Sequence, residues 1–98
     1  MANKIYQFQW ICEVENGMHA SAIAELVQDL SKITGNILVI DPISKARVDG
    51  KSVLGLLSLA IPKGMVYDIF YEGTTHFYEE LKEIFNKRGD IIEEKERL

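Results

Sequence analysis

The sequence predicts an α+β fold, a small sheet with helices packed on one of its faces. The apolar pattern switches between a period of two and a period of three to four along the chain. The order that results is βαββαβα, four strands and three helices, which suits a two-layer sandwich. The third observation is size: 98 residues, 47% hydrophobic and 27% charged, suit one domain with a core of its own. No internal repeat or low-complexity linker divides the chain.

The first strand is the clearest. Tyr6, Phe8, Trp10, Cys12 and Val14 fall on one side, with Gln7, Gln9, Ile11 and Glu13 on the other, so one face is buried. Cys12 sits among aromatics there and behaves as a small apolar residue. Asn16-Gly17 breaks the strand. Ala20, Ile23, Ala24, Val27 and Leu30 then repeat at helical spacing and form the face that packs on the first strand, and Gly35 is placed to end the helix. The β-branched run 36–40 stops at Asp41-Pro42, a turn signal, and 46–49 returns as its hairpin partner. Ser52 is a natural N-cap for a short helix that Pro62 and Gly64 keep from continuing. Residues 65–72 read as a strand with Tyr67, Ile69 and Tyr71 on one face. Gly73-Thr74-Thr75 turns into a last helix whose apolar stripe is Phe77, Leu81, Ile84 and Phe85. From Asp90 onward four acids face Lys95 and Arg97. This composition predicts a domain over 1–90 and a charged C-terminal extension over 91–98, a solvated helical extension or frayed end.

Eleven Lys and Arg against fifteen Asp and Glu give a net charge of −4, which offers no general attraction to nucleic acid. One cysteine excludes an internal disulfide framework and lacks the companions of a zinc cluster. No apolar run approaches the ~20 residues of a membrane span, and the first residues do not lead into a signal-peptide core. A soluble, cytoplasmic setting is expected, with no metal site and no cofactor. The phosphate-binding glycine loop, His-Glu-x-x-His, paired cysteines and Gly-x-Ser-x-Gly are all missing from the sequence.

Chemistry therefore rests on few positions. His19 follows Gly17-Met18 and precedes the first helix. A helix start presents unpaired N–H groups and the positive end of the dipole, so an imidazole beside it is placed to take a phosphoryl group. The same position also fits an ordinary surface histidine. His76 lies near a helix start too, with nothing around it that suggests chemistry. Ser52 reads as an N-cap worth ~1 kcal/mol, or as a phosphorylation site that sets −1.5 to −2 charges at a helix start.

Taken together and in order, these segments resemble the HPr phosphocarrier family of the bacterial sugar phosphotransferase system. Asn16-Gly17-Met18-His19-Ala20 is similar to the family's Gly-Leu-His-Ala phosphorylation segment. Residues 51–59, Lys-Ser-Val-Leu-Gly-Leu-Leu-Ser-Leu, resemble its regulatory serine segment in the Gram-positive form, and Gly64 and Glu72-Gly73 fall where the family keeps similar residues. The resemblance implies an open-faced β-sandwich, a four-stranded antiparallel sheet with three helices on one face. It implies phosphorylation of His19 on Nδ1 by enzyme I, at the expense of phosphoenolpyruvate, and discharge to an enzyme IIA. Ser52 matches the serine modified by HPr kinase/phosphorylase. The partner-binding surface implied comprises Met18, Ala20, Val53, Leu54 and Leu57.

Three departures accompany the match. The family follows His-Ala with Arg-Pro, where this chain has Ser21-Ala22. The arginine supplies a charge-assisted hydrogen bond to phosphate; Ser21 offers one hydrogen bond without charge as a substitute. Ala60 stands where the family commonly has glycine, and two extra residues lie between Asp41 and Lys45. The first expectation is thus a phosphocarrier without turnover of its own. The alternative is a binding module controlled through Ser52, with His19 idle, that docks a transcription regulator or metabolic enzyme. An uncharacterised small enzyme finds no catalytic constellation to support it.

Overall fold

β1 (Lys4–Cys12) lies inside the sheet, and the rest of the molecule is arranged around it. The computed structural model describes residues 3–97. It continues through α1 (Ala20–Leu30), β2 (Asn36–Ile40), β3 (Arg47–Asp49), α2 (Val53–Leu59), β4 (Val66–Gly73), α3 (Thr75–Asn86) and β5 (Gly89–Arg97). The strands form one antiparallel sheet in the order β3-β2-β4-β1-β5. The α+β architecture is the expected one, with five strands instead of four.

The period of two in β1 places Tyr6, Phe8, Trp10 and Cys12 on the helix side, all buried. Tyr67, Ile69 and Tyr71 of β4 continue that layer. Trp10 packs edge-on against Phe85, with ring centroids 5.1 Å apart, and its Nε1 donates to the Phe85 carbonyl at 2.8 Å. This satisfies the one polar group the indole brings into the core. α1 buries Ile23, Leu26 and Leu30, while Val27 is only half-buried, so the core stripe runs one position away from the one the spacing suggests. In α3 Tyr78 takes the buried place expected for Phe77, which packs at the margin.

The tail is the main correction. Residues 89–97 form neither a helical extension nor a frayed end but a strand that pairs with β1. Gly89 makes the approach possible, because a Cβ there would lie 1.9 Å from the Ile11 carbonyl oxygen. The register shifts between Phe8 and Gln9, where Glu93 at φ 51° is the extra residue of a bulge. Beyond the bulge Glu94 accepts from the Tyr78 hydroxyl and Lys82 Nζ, each at 2.9 Å, and Glu96 pairs with Lys4 at 3.1 Å. Among the described residues no helix is long and apolar enough to cross a membrane.

The pairing also fixes the ends of the sheet. Ile40 and Gln9 both align with Asp68, and Ile11 aligns with Val66. The loops 13–19, 41–46 and 60–65 therefore leave the sheet at one end. Gly50, whose N–H bonds the Ile37 carbonyl, lies at the other.

Candidate functional site: a histidine at the start of α1

The β1–α1 connection is tightly built. Gly17 N–H donates to the Val14 carbonyl at 2.9 Å and closes a turn in which Asn16 is left-handed. Gly17 is left-handed as well, at φ 77°, and a Cβ on it would come within 3.0 Å of the Ile61 carbonyl oxygen. Met18 N–H donates to that same carbonyl at 2.8 Å. Glu15 and Lys63 close the outside of the contact with an ion pair at 2.8 Å. The Lys63 ammonium holds the Glu15 carboxyl below its ordinary range, and the carboxylate raises Lys63 in return.

His19 is the N-cap residue of α1, at φ −79° and ψ 175°, and its side chain caps nothing. The ring is exposed. Its carbonyl accepts the first helical hydrogen bond, from Ile23 N–H at 2.9 Å. The N–H groups of Ala20, Ser21 and Ala22 precede that bond and stay free to face an anion. Ala20 and Ser21 are exposed, and no acidic side chain occupies the first turn. An imidazole beside free N–H groups at the positive end of a helix can bond a phosphorus atom while those groups meet its oxygens.

Met18 is a correction to the expected partner surface. It is 6% exposed and belongs to the core, while its N–H is bonded to the Ile61 carbonyl. Ala20, Val53, Leu54 and Leu57 are exposed, Leu54 at 80%, whereas Leu56 on the opposite side of α2 is buried.

Ser52 lies at the far end of this surface. Its Oγ accepts Gly55 N–H at 3.0 Å, the N-cap bond. Lys51 Nζ donates to the Ile33 and Gly35 carbonyls, at 2.5 and 3.0 Å, which ties the start of α2 to the segment after α1. α2 then runs back toward His19 and ends at Ala60, whose left-handed backbone leads into Ile61. His19 and Ser52 thus stand at opposite ends of the α1–α2 pair, separated by roughly the 16 Å length of an eleven-residue helix. His76 is distant in sequence and exposed, within 3.9 Å of Glu80.

The described clefts run between α1 and α3, beside β5, and over the bulge on the outer face of the sheet, and none is lined by His19 or Ser52. Among the described residues no three His, Cys, Asp or Glu side chains gather as metal ligands. Sequence reasoning did not find the Ile61 carbonyl, the left-handed Ala60 or the Glu15–Lys63 pair. Only the family glycine at position 60 signalled that a special backbone was needed there.

Comparison with known proteins identifies the family and the fold. Residues 6–87 match the family model described as the PTS HPr component phosphorylation site. The phosphocarrier protein HPr of Bacillus anthracis str. Ames superposes with a TM-score of 0.76 at 26% identity, over 86% of this chain and 96% of its own. HPr-C-His from Thermoanaerobacter tengcongensis gives 0.71 at 25% identity, over 83% and 91%. A histidine-containing phosphocarrier protein of Mycoplasma shares the fold, with a TM-score of 0.70 at 23% identity over 83% and 92%. β5 lies beyond the matched segment. With the family model spanning four of the five strands, all three helices and both ends of the α1–α2 pair, the chain belongs to the HPr family of phosphocarrier components of the phosphotransferase system.

Proposed function

We propose that this protein carries a phosphoryl group on His19, received from enzyme I and passed to an enzyme IIA in sugar uptake in the cytoplasm. The observation that carries the reading is His19 at the N-terminus of α1, its ring unengaged and the helix N–H groups beside it unoccupied by any acidic side chain. The ring nitrogen forms its bond to phosphorus as the donor's bond to phosphorus breaks, and the released pair of electrons stays with the donor. The N–H groups of Ala20, Ser21 and Ala22 balance the phosphoryl charge, and the Ser21 hydroxyl supplies one hydrogen bond where the family has arginine. Ala20, Val53, Leu54 and Leu57 form the docking face. Ser52, at its far end, is the site for an HPr kinase/phosphorylase, and a phosphate there sets a dianion beside Val53 and Leu54 that repels an acidic partner.

Incubation with enzyme I and labelled phosphoenolpyruvate tests the assignment. An acid-labile label is expected on the parent and on His76→Ala, and none on His19→Ala. Ser21→Arg is expected to speed transfer by about tenfold, since a fixed cation meets the charge in flight. A parent protein that stays unlabelled while an ordinary HPr is labelled beside it removes the proposal.

A further inference from the structure

The segments 14–18 and 60–64 meet beside His19, and they hold four left-handed residues: Asn16, Gly17, Ala60 and Gly64. Glycine has no Cβ to clash in this region and asparagine tolerates it, but an alanine is held there against its preference. Ala60, at φ 48° and ψ 57°, is the outlier. Its side chain is exposed, so side-chain packing does not impose the conformation.

The backbone around it does. Ala60 N–H donates to the Leu57 carbonyl at 3.1 Å and ends α2. The next residue, Ile61, is 2% exposed, and its carbonyl receives Met18 N–H. A right-handed residue at position 60 continues α2, and an extended one sends the chain on another heading. Either rotates the Ile61 carbonyl away from Met18. Met18 directly precedes His19, and the His19 carbonyl is itself fixed by Ile23 N–H. The imidazole thus stands between two backbone bonds, one of which depends on the conformation of residue 60. Strain of this kind collects where a site is held in place.

We propose that Ala60 is a positioning residue for His19: its left-handed backbone aims the Ile61 carbonyl at Met18 N–H and so fixes the imidazole over the free N–H groups of α1. This rests on His19 being the phosphoryl acceptor and extends that reading to the element that sets its geometry. The same turn is bonded to Leu57, so the docking face of α2 and the acceptor share one support.

Because residue 60 is exposed, substitutions there alter backbone preference with little change in packing. Ala60→Gly and Ala60→Asn accept a left-handed backbone; Ala60→Val, close to asparagine in volume, resists it. The probe is phosphoramidate, a small donor that needs no docked protein: the ring nitrogen bonds phosphorus as the P–N bond to ammonia breaks. With the full chain well below its Tm, the glycine and asparagine variants are expected within about twofold of the parent rate and the valine variant about tenfold slower. In Ala60→Val the Met18 amide is expected to exchange faster with solvent, and the His19 ring resonances to move while those of His76 stay. Should the valine variant fail to fold, an ester in place of the Met18 amide removes the donor directly and is expected to give the same losses. A folded valine variant, or in its absence a folded ester chain, with parent rate, Met18 protection or exchange of its neighbours unchanged and His19 resonances unmoved overturns the proposal, as does an asparagine variant as slow as valine. If the parent takes no phosphoryl group on His19, the phosphocarrier reading falls. Met18 protection and the His19 resonances across the same variants then decide the positioning role alone.

Discussion

Under the proposed function Ser52 would join two roles at one oxygen. The Oγ that accepts Gly55 N–H is also the atom a kinase would modify. Ser52→Ala is expected to destabilise the protein by ~1 kcal/mol and lower Tm by about 5 °C. Ser52→Asp keeps an acceptor and places a negative charge at the positive end of α2, so calorimetry is expected to find Tm nearly unchanged. Binding to enzyme I, measured by titration, is expected to weaken. A Ser52→Asp protein that melts like Ser52→Ala would show that the aspartate does not cap. Ser52 was legible as a helix start because serine is a preferred N-cap residue, whereas His19 caps nothing and drew notice through the resemblance of its segment to a known family. Met18 was not legible. It joins a core cluster built from segments distant in sequence, and nothing near Met18 announces those neighbours.

At the level of whole elements, β4 and the first strand could be read face by face because their periods are regular, and α1 could be read as a helix although its buried stripe runs through Leu26. β5 could not. Its bulge at Glu93 interrupts the alternation, leaving Ile91 and Ile92 adjacent and then Glu93 and Glu94 adjacent, so no period of two survives. What holds the strand beyond the bulge is polar. The hydrogen bond from Lys82 first, and that from the Tyr78 hydroxyl after it, hold the Glu94 carboxyl below its ordinary range against the opposing effect of burial. A carboxylate with a depressed folded-state pKa stabilises the fold above its unfolded pKa of about 4.3, and that contribution is lost as pH falls through the lower folded value. Amide exchange in residues 94–96 is therefore expected to accelerate below about pH 4 before that in β4 does. Glu94→Gln should remove most of the acid step while leaving the strand paired at neutral pH. Equal acceleration in β4 and β5 would mean that the Glu94 contact does not govern this strand.

The whole molecule divides its labour between two ends and a middle. One end of the sheet gathers the loops that hold His19, the other anchors the start of α2 at Ser52, and the aromatic layer between them carries stability. That division was only half visible in the sequence. The order βαββαβα and the two motifs were readable, but which loops share an end depends on strand register, a long-range property. Cys12 sits where these regions join. It is fully buried, its N–H donates to the Met65 carbonyl, and its own carbonyl receives Gly64 N–H. Burial, more than anything else around it, pushes the thiol up. A single shielded thiol at that junction is a built-in clock. A thiol reagent such as iodoacetamide can reach it only when the seam between the end of β1 and the start of β4 parts, and each molecule then gains one countable mass. In the native protein, labelling is expected to be at least ~1000-fold slower than for an unfolded chain, and to quicken with denaturant as steeply as global unfolding does. A rate indifferent to denaturant would show instead that the seam beside His19 opens by itself, breathing while the rest of the molecule stays shut.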